Sequence, residues 1–297
     1  MGWTGWILAS AVFLAFYDIA KKHAVAGNAV LPTLLCSTLF GCAAFAAVAL
    51  AIGGGVETLM RIDARILLLA SVKSVIVAVS WVFTFCALRT LPITIATPIR
   101  ASAPALVFLI AFFLYGERPS PLQGAGMAMV FAGYFAFSWA GKSEGIDFFR
   151  CPAVGLAVLG AVFSACSAIW DKYLFQCCRL DKEAVQFVFQ CALVIVYGTM
   201  LSIRWAFRVL LGGADGGCRF QWRWSIPFVG ILLATADWLY FSGIASDGAP
   251  ISVASLMRRF SVVITFLAGA KFFHERNLVR KGIALAAILS GVILLCL

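Results

Sequence analysis

The stretch that decides the fold is Trp238–Arg276, which reads WLYFSGIASDGAP, ISVASLMRRF and SVVITFLAGAKFFHER in succession. An earlier stretch, Trp81–Arg118, has nearly the same pattern: WVFTFCALRTLP, ITIATPIRAS and APALVFLIAFFLYGER. In both, a Trp opens an apolar run, a Pro marks a turn, and a Glu-Arg pair ends the next apolar run. Three matches share an offset of 158 positions, about half of the 297 residues: Pro92 with Pro250, Arg100 with Arg258, and Glu117 with Glu275. The chain is therefore predicted to consist of two versions of one unit.

The composition places both units in a lipid bilayer. Hydrophobic residues make up 63% of the chain and charged residues only 12%, whereas soluble domains contain about 25% charged residues. The formal net charge of +10 is spread over short loops without a basic tract, which argues against nucleic acid as a partner. The ten cysteines are scattered and form no CxxC motif, so we interpret them as small buried residues rather than disulfide or zinc ligands.

Apolar runs bounded by charges, Pro and Gly predict ten membrane-spanning helices, because a backbone inside hydrocarbon must satisfy its own hydrogen bonds. The predicted spans are 3–20, 30–52, 66–88, 91–115, 121–140, 152–175, 184–210, 225–246, 249–272 and 279–297. The first run resembles a signal peptide, but it lacks a basic n-region and is therefore interpreted as a span.

A polar segment divides the ten spans into two sets of five. We predict a first repeat over residues 1–140, a linker over 141–151 and a second repeat over 152–297. Because each repeat has an odd number of spans, the second enters the membrane from the opposite side. The predicted fold class is an all-α membrane protein with two inverted five-helix repeats around a central cavity, the usual architecture of a secondary transporter.

The first helix of each repeat ends in a similar motif. Span one closes with Tyr17-Asp18 followed by Lys21 and Lys22, and span six closes with Trp170-Asp171-Lys172. We interpret both motifs as interfacial anchors, in which the aromatic ring lies at headgroup depth and the lysines extend to water. A functional role for the two aspartates is the alternative.

Five charged residues fall well inside predicted spans: Lys73, Arg100, Asp237, Arg258 and Arg259. Each costs about 2.5–3.5 kcal/mol at the centre of an inserted helix, and such residues indicate a functional site by default. Buried ion pairs that hold helices together are the alternative. Asp237 could neutralise only one base, and the expected surplus of positive charge favours a site.

Arg100 and Arg258 are the strongest candidates because they match across the repeat. Each lies about nine residues into its span, which is about 13 Å deep at 1.5 Å per residue and near the membrane midplane. Arg258 and Arg259 point about 100° apart, so Arg259 is expected to contact a neighbouring helix or extend to the interface. Pro98 and Pro104 flank Arg100 and predict a broken helix there.

Aromatic residues accompany these charges on the repeat-related spans three and eight. Aromatic walls around cationic groups suit an aromatic or amphipathic anion, and packing or lipid contact is the alternative. The predicted substrate-binding residues are Arg100, Arg258, Lys73, Asp237, Trp81, Trp238 and Tyr240.

Motifs of enzymes are missing from the sequence. It contains no HExxH, GxSxG, GxGxxG or complete P-loop, and only two His residues. We therefore predict no enzymatic activity, no cofactor and no metal site. A pore would call for rings of polar or charged side chains, which the sparse charges do not suggest.

The two matched segments, each followed by a Gly-rich helix (Gly124–Gly133 and Gly282–Gly291), resemble the drug/metabolite transporter superfamily, specifically its EamA-type members. The resemblance covers essentially the whole chain and implies a ten-helix basket with a central cavity and alternating access. Related nucleotide-sugar and organophosphate members carry a basic residue in span nine, which implies that Arg258 contacts an anionic group. The resemblance also implies cytoplasmic termini, whereas the loops that would then face outside hold twelve Lys and Arg residues against six inside.

The sequence thus predicts a multi-pass secondary transporter of the cytoplasmic (inner) membrane, monomeric or homodimeric, that moves a small anionic or amphipathic metabolite. Arg100 and Arg258 are expected to bind the anion, Lys73 to add charge, and Asp237 to be the counter-ion or a proton site. One alternative is a proton-coupled exporter of amphipathic cations with Asp237 as the acid. Another is a non-transporting membrane scaffold whose buried charges only pair.

Overall fold

The fold is taken from a computed structural model that describes residues 3–51, 61–101, 103, 105–106, 120–142, 150–174, 178–211, 219–244, 257–258, 260–272 and 277–296. These residues form ten α-helices and no β-strand. In chain order the helices are α1 (Trp3–Val25), α2 (Val30–Ala51), α3 (Ala64–Thr90), α4 (Ile93–Ala101), α5 (Pro121–Lys142), α6 (Pro152–Lys172), α7 (Lys182–Leu211), α8 (Ser225–Ile244), α9 (Phe260–Phe272) and α10 (Leu278–Cys296).

Five of these helices, α1, α2, α3, α6 and α7, are long and apolar enough to cross a membrane. Shorter apolar segments occupy most of α8 and α9. The prediction of an all-helical, multi-pass membrane protein is confirmed, and the helices follow the order of the predicted spans. Three residues that carried the repeat, Pro250, Glu117 and Glu275, lie outside the described residues, as do Pro104 and Arg259.

Helices of the first half pack chiefly on helices of the second half. α1 packs along α8, α3 along α6 and α7, α2 against α7 and α8, and α5 against α10. α9 contacts α1 and α4. The apolar side chains between them form one main cluster with members from both halves, including Phe85, Tyr197 and Ile288. The interior is therefore shared by the two halves.

Glycines permit the closest of these helix crossings. Where α2 meets α8, a Cβ added to Gly230 would lie 2.0 Å from the carbonyl oxygen of Ser37 and 2.6 Å from the amide nitrogen of Gly41. There is no space for a side chain at this point. The two helices therefore cross backbone against backbone, as small residues allow in membranes.

A short break separates α3 from α4 and is held by α1. The Nζ of Lys22 donates to the carbonyl oxygens of Leu88 and Leu91, at 2.7 and 2.5 Å. α4 begins just after Pro92, at the predicted turn, and continues as a helix through Pro98. The break expected at Pro98 is therefore absent.

Two contacts between loops join the halves at their ends. The side chain of Asn28, in the α1–α2 turn, exchanges two hydrogen bonds of 2.8 Å with the backbone of Gln221, just before α8. Arg61, just before α3, pairs with Asp181 at the start of α7 at 2.9 Å. Each contact links a loop of the first half to a loop of the second.

Candidate functional site

A fully buried carboxylate lies in the last third of α1. Asp18 is 0% exposed, and the Nζ of Lys21, one turn later, lies 2.8 Å from its Oδ1. The guanidinium of Arg100 on α4 pairs with Oδ2. The Nζ of Lys21 also lies 4.5 Å from the ring centroid of Tyr17. One carboxylate is thus shared by two cations, which offsets the cost of burying them.

The interpretation of this α1 motif as an interfacial anchor is wrong. Tyr17, Asp18 and Lys21 are all buried, and the lysine reaches the carboxylate in the interior instead of extending to the surface. α1 also continues to Val25, five residues beyond the predicted span. Asp18 therefore lies well inside the helix and not at its end.

The matching aspartate of the second half binds a cation of the first half. Asp171, at the end of α6, lies with its Oδ1 2.7 Å from the Nζ of Lys73 on α3. The same Nζ lies 4.7 Å from the ring centroid of Phe189 on α7. Lys73 thus joins α3, α6 and α7, and its charge is balanced across the two halves.

Arg258 forms the third buried pair, immediately before α9. Its guanidinium pairs with Asp237 of α8, and its central carbon lies 4.3 Å from the ring centroid of Tyr240. The side chains of Arg258 and Asp237 are each 21% exposed. Within the described part of the chain, the buried Nε of Arg258 has no hydrogen-bond partner. The predicted residues Arg258, Asp237 and Tyr240 are therefore brought together, with one donor unused.

The three charged clusters are distributed over both halves of the chain. The Asp18 cluster lies within the first half, the Arg258–Asp237 pair lies within the second, and the Lys73–Asp171 pair joins the two.

The expected surplus of unpaired positive charge is wrong. Arg100 and Lys73 have carboxylates of their own in Asp18 and Asp171, and Asp237 pairs with Arg258. Lys281, near the start of the predicted span 279–297, is 0% exposed in α10, and its Nζ donates to Thr94 Oγ1 at 3.1 Å.

A small cavity of about 10 Å³, room for about one water molecule, lies between the halves and is lined by residues of α1, α2, α3, α7 and α8. Its volume is far below the range of about 300–1,000 Å³ typical of small-molecule sites. Of the predicted site residues, Trp81 lines it, and Arg100 and Arg258 are not part of its lining. The cavity and the charged clusters meet at Tyr17, which belongs to both.

Gln190 of α7 is a lining residue that the sequence did not indicate. It is 3% exposed and lines the cavity. A single Gln in an apolar helix carries no periodic or motif signal that could have identified it.

Trp238 lies apart from the cavity lining. Its ring packs edge-on against Trp6 of α1, with centroids 5.9 Å apart and an interplanar angle of 89°. The residue is 38% exposed. A substrate contact at Trp238 stays a prediction.

Comparison with known proteins agrees with the architecture. One solved crystal structure is similar to 99% of this chain over 97% of its own length, with a TM-score of 0.58 and 20% sequence identity, which shows a common fold. No curated protein matches the chain. The EamA-like transporter family matches residues 1–139. This match confirms the resemblance noted in the sequence for residues 1–139.

Proposed function

We propose that the protein is a secondary transporter that carries a small anionic or amphipathic molecule across the cytoplasmic membrane by alternating access. Transport as such is suggested by the family of residues 1–139. The observation that carries the choice of substrate is the Arg258–Asp237 pair beside Tyr240. There the partly buried guanidinium keeps its buried Nε donor unused.

The packing of the helices supports two inverted repeats. The sequence relates α1 to α6, α2 to α7, α3 to α8, α4 to α9 and α5 to α10. When each helix is replaced by its repeat partner, the α1–α8 contact corresponds to an α6–α3 contact. In the same way, the α2–α8 contact corresponds to α7–α3, and the α1–α9 contact to α6–α4. All six of these contacts are present. Repeats of this kind allow one unit to rock against the other around a fixed site.

The loop contacts support the same relation. When each helix is replaced by its repeat partner, the α1–α2 turn corresponds to the α6–α7 loop. The segment between α7 and α8 then corresponds to the segment between α2 and α3. The Asn28–Gln221 contact is therefore the counterpart of the Arg61–Asp181 contact. Each joins the corresponding loops at opposite ends of the bundle.

Both arginines suit an anionic group. A guanidinium has five N–H donors and binds carboxylate or phosphate through two of them at once. Arg100 and Arg258 remain 26% and 21% exposed beside their aspartates. An incoming anion would share the guanidinium with the aspartate or replace it, and the ring of Tyr240 would keep the guanidinium of Arg258 in place.

The same pairs also favour a second function, a non-transporting membrane scaffold in which charges only join helices. Removing one member of a buried pair costs about 3–5 kcal/mol. Loss of activity in Arg258→Ala would therefore follow from either function. A test needs a variant that restores the pair and moves the cation.

The exchange of charges between Arg258 and Asp237 provides that variant. Purified wild-type protein, Arg258→Ala and the double variant Arg258→Asp/Asp237→Arg are screened by thermal shift against a panel of organic anions and a panel of amphipathic cations. The best ligand is then used in a counterflow assay in proteoliposomes.

We expect the double variant to recover the thermal stability lost in Arg258→Ala, but to remain deficient in anion binding and counterflow. If it recovers both, the pair is structural and the site assignment is wrong. Stabilisation of the wild-type protein by cations alone would support the proton-coupled exporter instead. A folded wild-type protein that binds neither panel and shows no counterflow would support the scaffold.

A further inference from the structure

We propose that Cys42 of α2 and Cys191 of α7 form a peroxide-sensitive dithiol, whose oxidation joins the two halves of the chain through a disulfide. The two Sγ atoms lie 3.8 Å apart, and the residues are 149 positions apart in sequence. A bond between them would connect the second helix of one half to the second helix of the other.

The distance requires little movement. The sulfur atoms of a disulfide are about 2.05 Å apart, so the thiols need to approach by about 1.8 Å, a distance that side-chain rotation can supply. α2 and α7 already pack against each other. The helices therefore hold the two thiols in place for reaction with one another.

Both thiols are partly exposed, and a route leads to their neighbourhood. Gly41 and Gln190, the residues directly before the two cysteines, line the cavity between the halves. Because this cavity of about 10 Å³ has room for only about one water-sized molecule, a small oxidant such as hydrogen peroxide suits it best. Larger thiol reagents are expected to react more slowly at this site.

The other cysteines provide a comparison. Seven of the described cysteines are free thiols, and Cys42 and Cys191 are two of them whose sulfur atoms are in contact. Cys36 lies on the same helix as Cys42 and is also partly exposed. It is a matched control for the loss of one thiol from α2.

The reaction balances with peroxide as the oxidant. The thiolate of one cysteine attacks a peroxide oxygen, so that an S–O bond forms, the O–O bond breaks and, after protonation, water leaves. The second thiol attacks the resulting sulfenic acid, an S–S bond forms and a second water leaves. The two thiols lose two electrons and two protons, and one peroxide is reduced to two waters.

The link would lie beside a backbone-to-backbone contact between the halves. Cys42 follows Gly41, which meets Gly230 of α8 backbone to backbone. A disulfide here ties α2, α7 and α8 together beside the cavity. If the proposed function holds, movement between the halves is blocked, and oxidation is expected to stop transport until a reductant is added.

The test uses the full-length protein with a protease site inserted in the 141–151 linker. After treatment with hydrogen peroxide and capping of remaining thiols by N-ethylmaleimide, the linker is cut and the halves are separated on non-reducing gels. We expect the halves to remain joined in the wild-type background, and to separate after dithiothreitol. Peptide mass spectrometry should identify the Cys42–Cys191 link.

Cys42→Ser and Cys191→Ser should each abolish the link, and Cys36→Ser should leave it. Cys42→Ala replaces Cys42→Ser if the serine variant does not fold. Halves that separate after oxidation of folded wild-type protein, or a link that persists in Cys42→Ser, would overturn the proposal. A mapped link without any effect on counterflow leaves the dithiol in place and refutes the proposed movement of the halves.

Discussion

At the residue scale, three aspartates hold the buried cations of the interior. Asp18 serves Lys21 and Arg100, Asp171 serves Lys73, and Asp237 serves Arg258. These aspartates lie on α1, α6 and α8, while Lys73, Arg100 and Arg258 lie on or next to other helices. The loss of stability caused by a single substitution should therefore depend on how many charged partners it leaves without an opposite charge.

Asp18→Asn keeps the shape of the side chain but leaves Lys21 and Arg100 without their carboxylate. We expect it to destabilise the protein by about 3–5 kcal/mol, measured as a lower melting temperature in detergent. Asp181→Asn is the matched control, because it breaks the Arg61 pair at the surface, where the cost is about 1 kcal/mol or less. Equal shifts for the two variants would contradict the buried role of Asp18.

Arg258→Lys separates charge from geometry. The lysine keeps a cation next to Asp237, so stability should stay near that of the wild type, but it loses the planar fork that binds an anion through two donors. One lost hydrogen bond to a charged group corresponds to about a tenfold or larger loss of affinity. Ligand-induced thermal shifts would measure it, and unchanged anion affinity would count against a substrate contact.

The sequence revealed both members of the Arg258–Asp237 pair, but only the cation of each of the other two pairs. Lys73, Arg100 and Arg258 were identified because a charge inside an apolar run is unusual. Asp18 and Asp171 were noticed but were placed at the membrane surface, since they stand where the apolar run ends. The end of an apolar run is not the end of a helix, as α1 continues to Val25. Burial by helices distant in sequence cannot be read from a local pattern.

At the scale of the element, the closest contact is the crossing of α2 and α8. Gly230→Ala would put a Cβ within 2.0 Å of the Ser37 carbonyl oxygen, and backbone cannot move aside as a side chain can. We expect Gly230→Ala to lower the stability of the protein by about 3 kcal/mol or more. This is at or above the largest losses usually caused by adding atoms to a packed core.

Gly198 on α7 is the control for this prediction, because a Cβ there would meet nothing within 4 Å. Gly198→Ala should leave stability unchanged or raise it by up to about 1 kcal/mol. The measurement is the melting temperature of each purified variant, Gly230→Ala and Gly198→Ala, compared with that of the wild type. A Gly230→Ala protein as stable as the wild type would show that α2 and α8 are not in backbone contact.

The start of α7 carries a pH-dependent cap. Partial burial works to raise the pKa of Asp181, but hydrogen bonds from the Ala184 amide and Arg61, together with the charge of Arg61, hold that pKa below its ordinary value. A carboxyl whose pKa is lower in the folded state stabilises the fold above its unfolded pKa of about 3.9. That contribution is lost as the pH falls through the folded pKa.

Asp181→Asn removes the titration and keeps a good cap residue. The variant should be less stable than the wild type at neutral pH by about 1 kcal/mol or less, and the difference should shrink as the pH falls through the lowered folded pKa of Asp181. Thermal denaturation between about pH 2 and pH 7 measures this change. A difference that stays constant over this range would show that the Asp181 charge does not contribute.

The bilayer explains why the elements were more predictable than the contacts. It requires apolar runs to be helices, so ten runs gave ten helices in the right order. The prolines of α4 were less informative, since α4 continues through Pro98. Whether a proline bends or breaks a helix depends on neighbouring helices that can satisfy the freed carbonyl.

At the scale of the whole molecule, the loops at the two ends of the bundle should face opposite sides of the membrane. Cys178 accepts a hydrogen bond from Arg65 at 3.3 Å at the end that holds the Arg61–Asp181 pair. Trp222 is 50% exposed and follows Gln221 at the other end. α7 lies between them and is long enough to cross the bilayer.

Labelling with an impermeant maleimide tests this arrangement. Two variants each keep a single cysteine, either Cys178 or the one introduced by Trp222→Cys, with all other cysteines replaced by Ser. We expect one of these cysteines to be labelled in intact cells and the other only after the membrane is permeabilised. The cysteine labelled in intact cells also fixes the orientation, on which loop charges and family resemblance disagree. If both are labelled in intact cells, α7 does not span the membrane and the inverted arrangement fails.

The Lys73–Asp171 pair has a consequence for how the chain is made. A ribosome adds about 5–20 residues per second, and Asp171 follows Lys73 by about 100 residues. Asp18 has already been synthesised when Arg100 leaves the ribosome. Asp171, the partner of Lys73, is synthesised only about 5–20 seconds after Lys73. During that interval α3 carries a charge that the bilayer disfavours. The third helix therefore reaches its final position only after the sixth has been synthesised, and insertion of the first half depends on translation of the second.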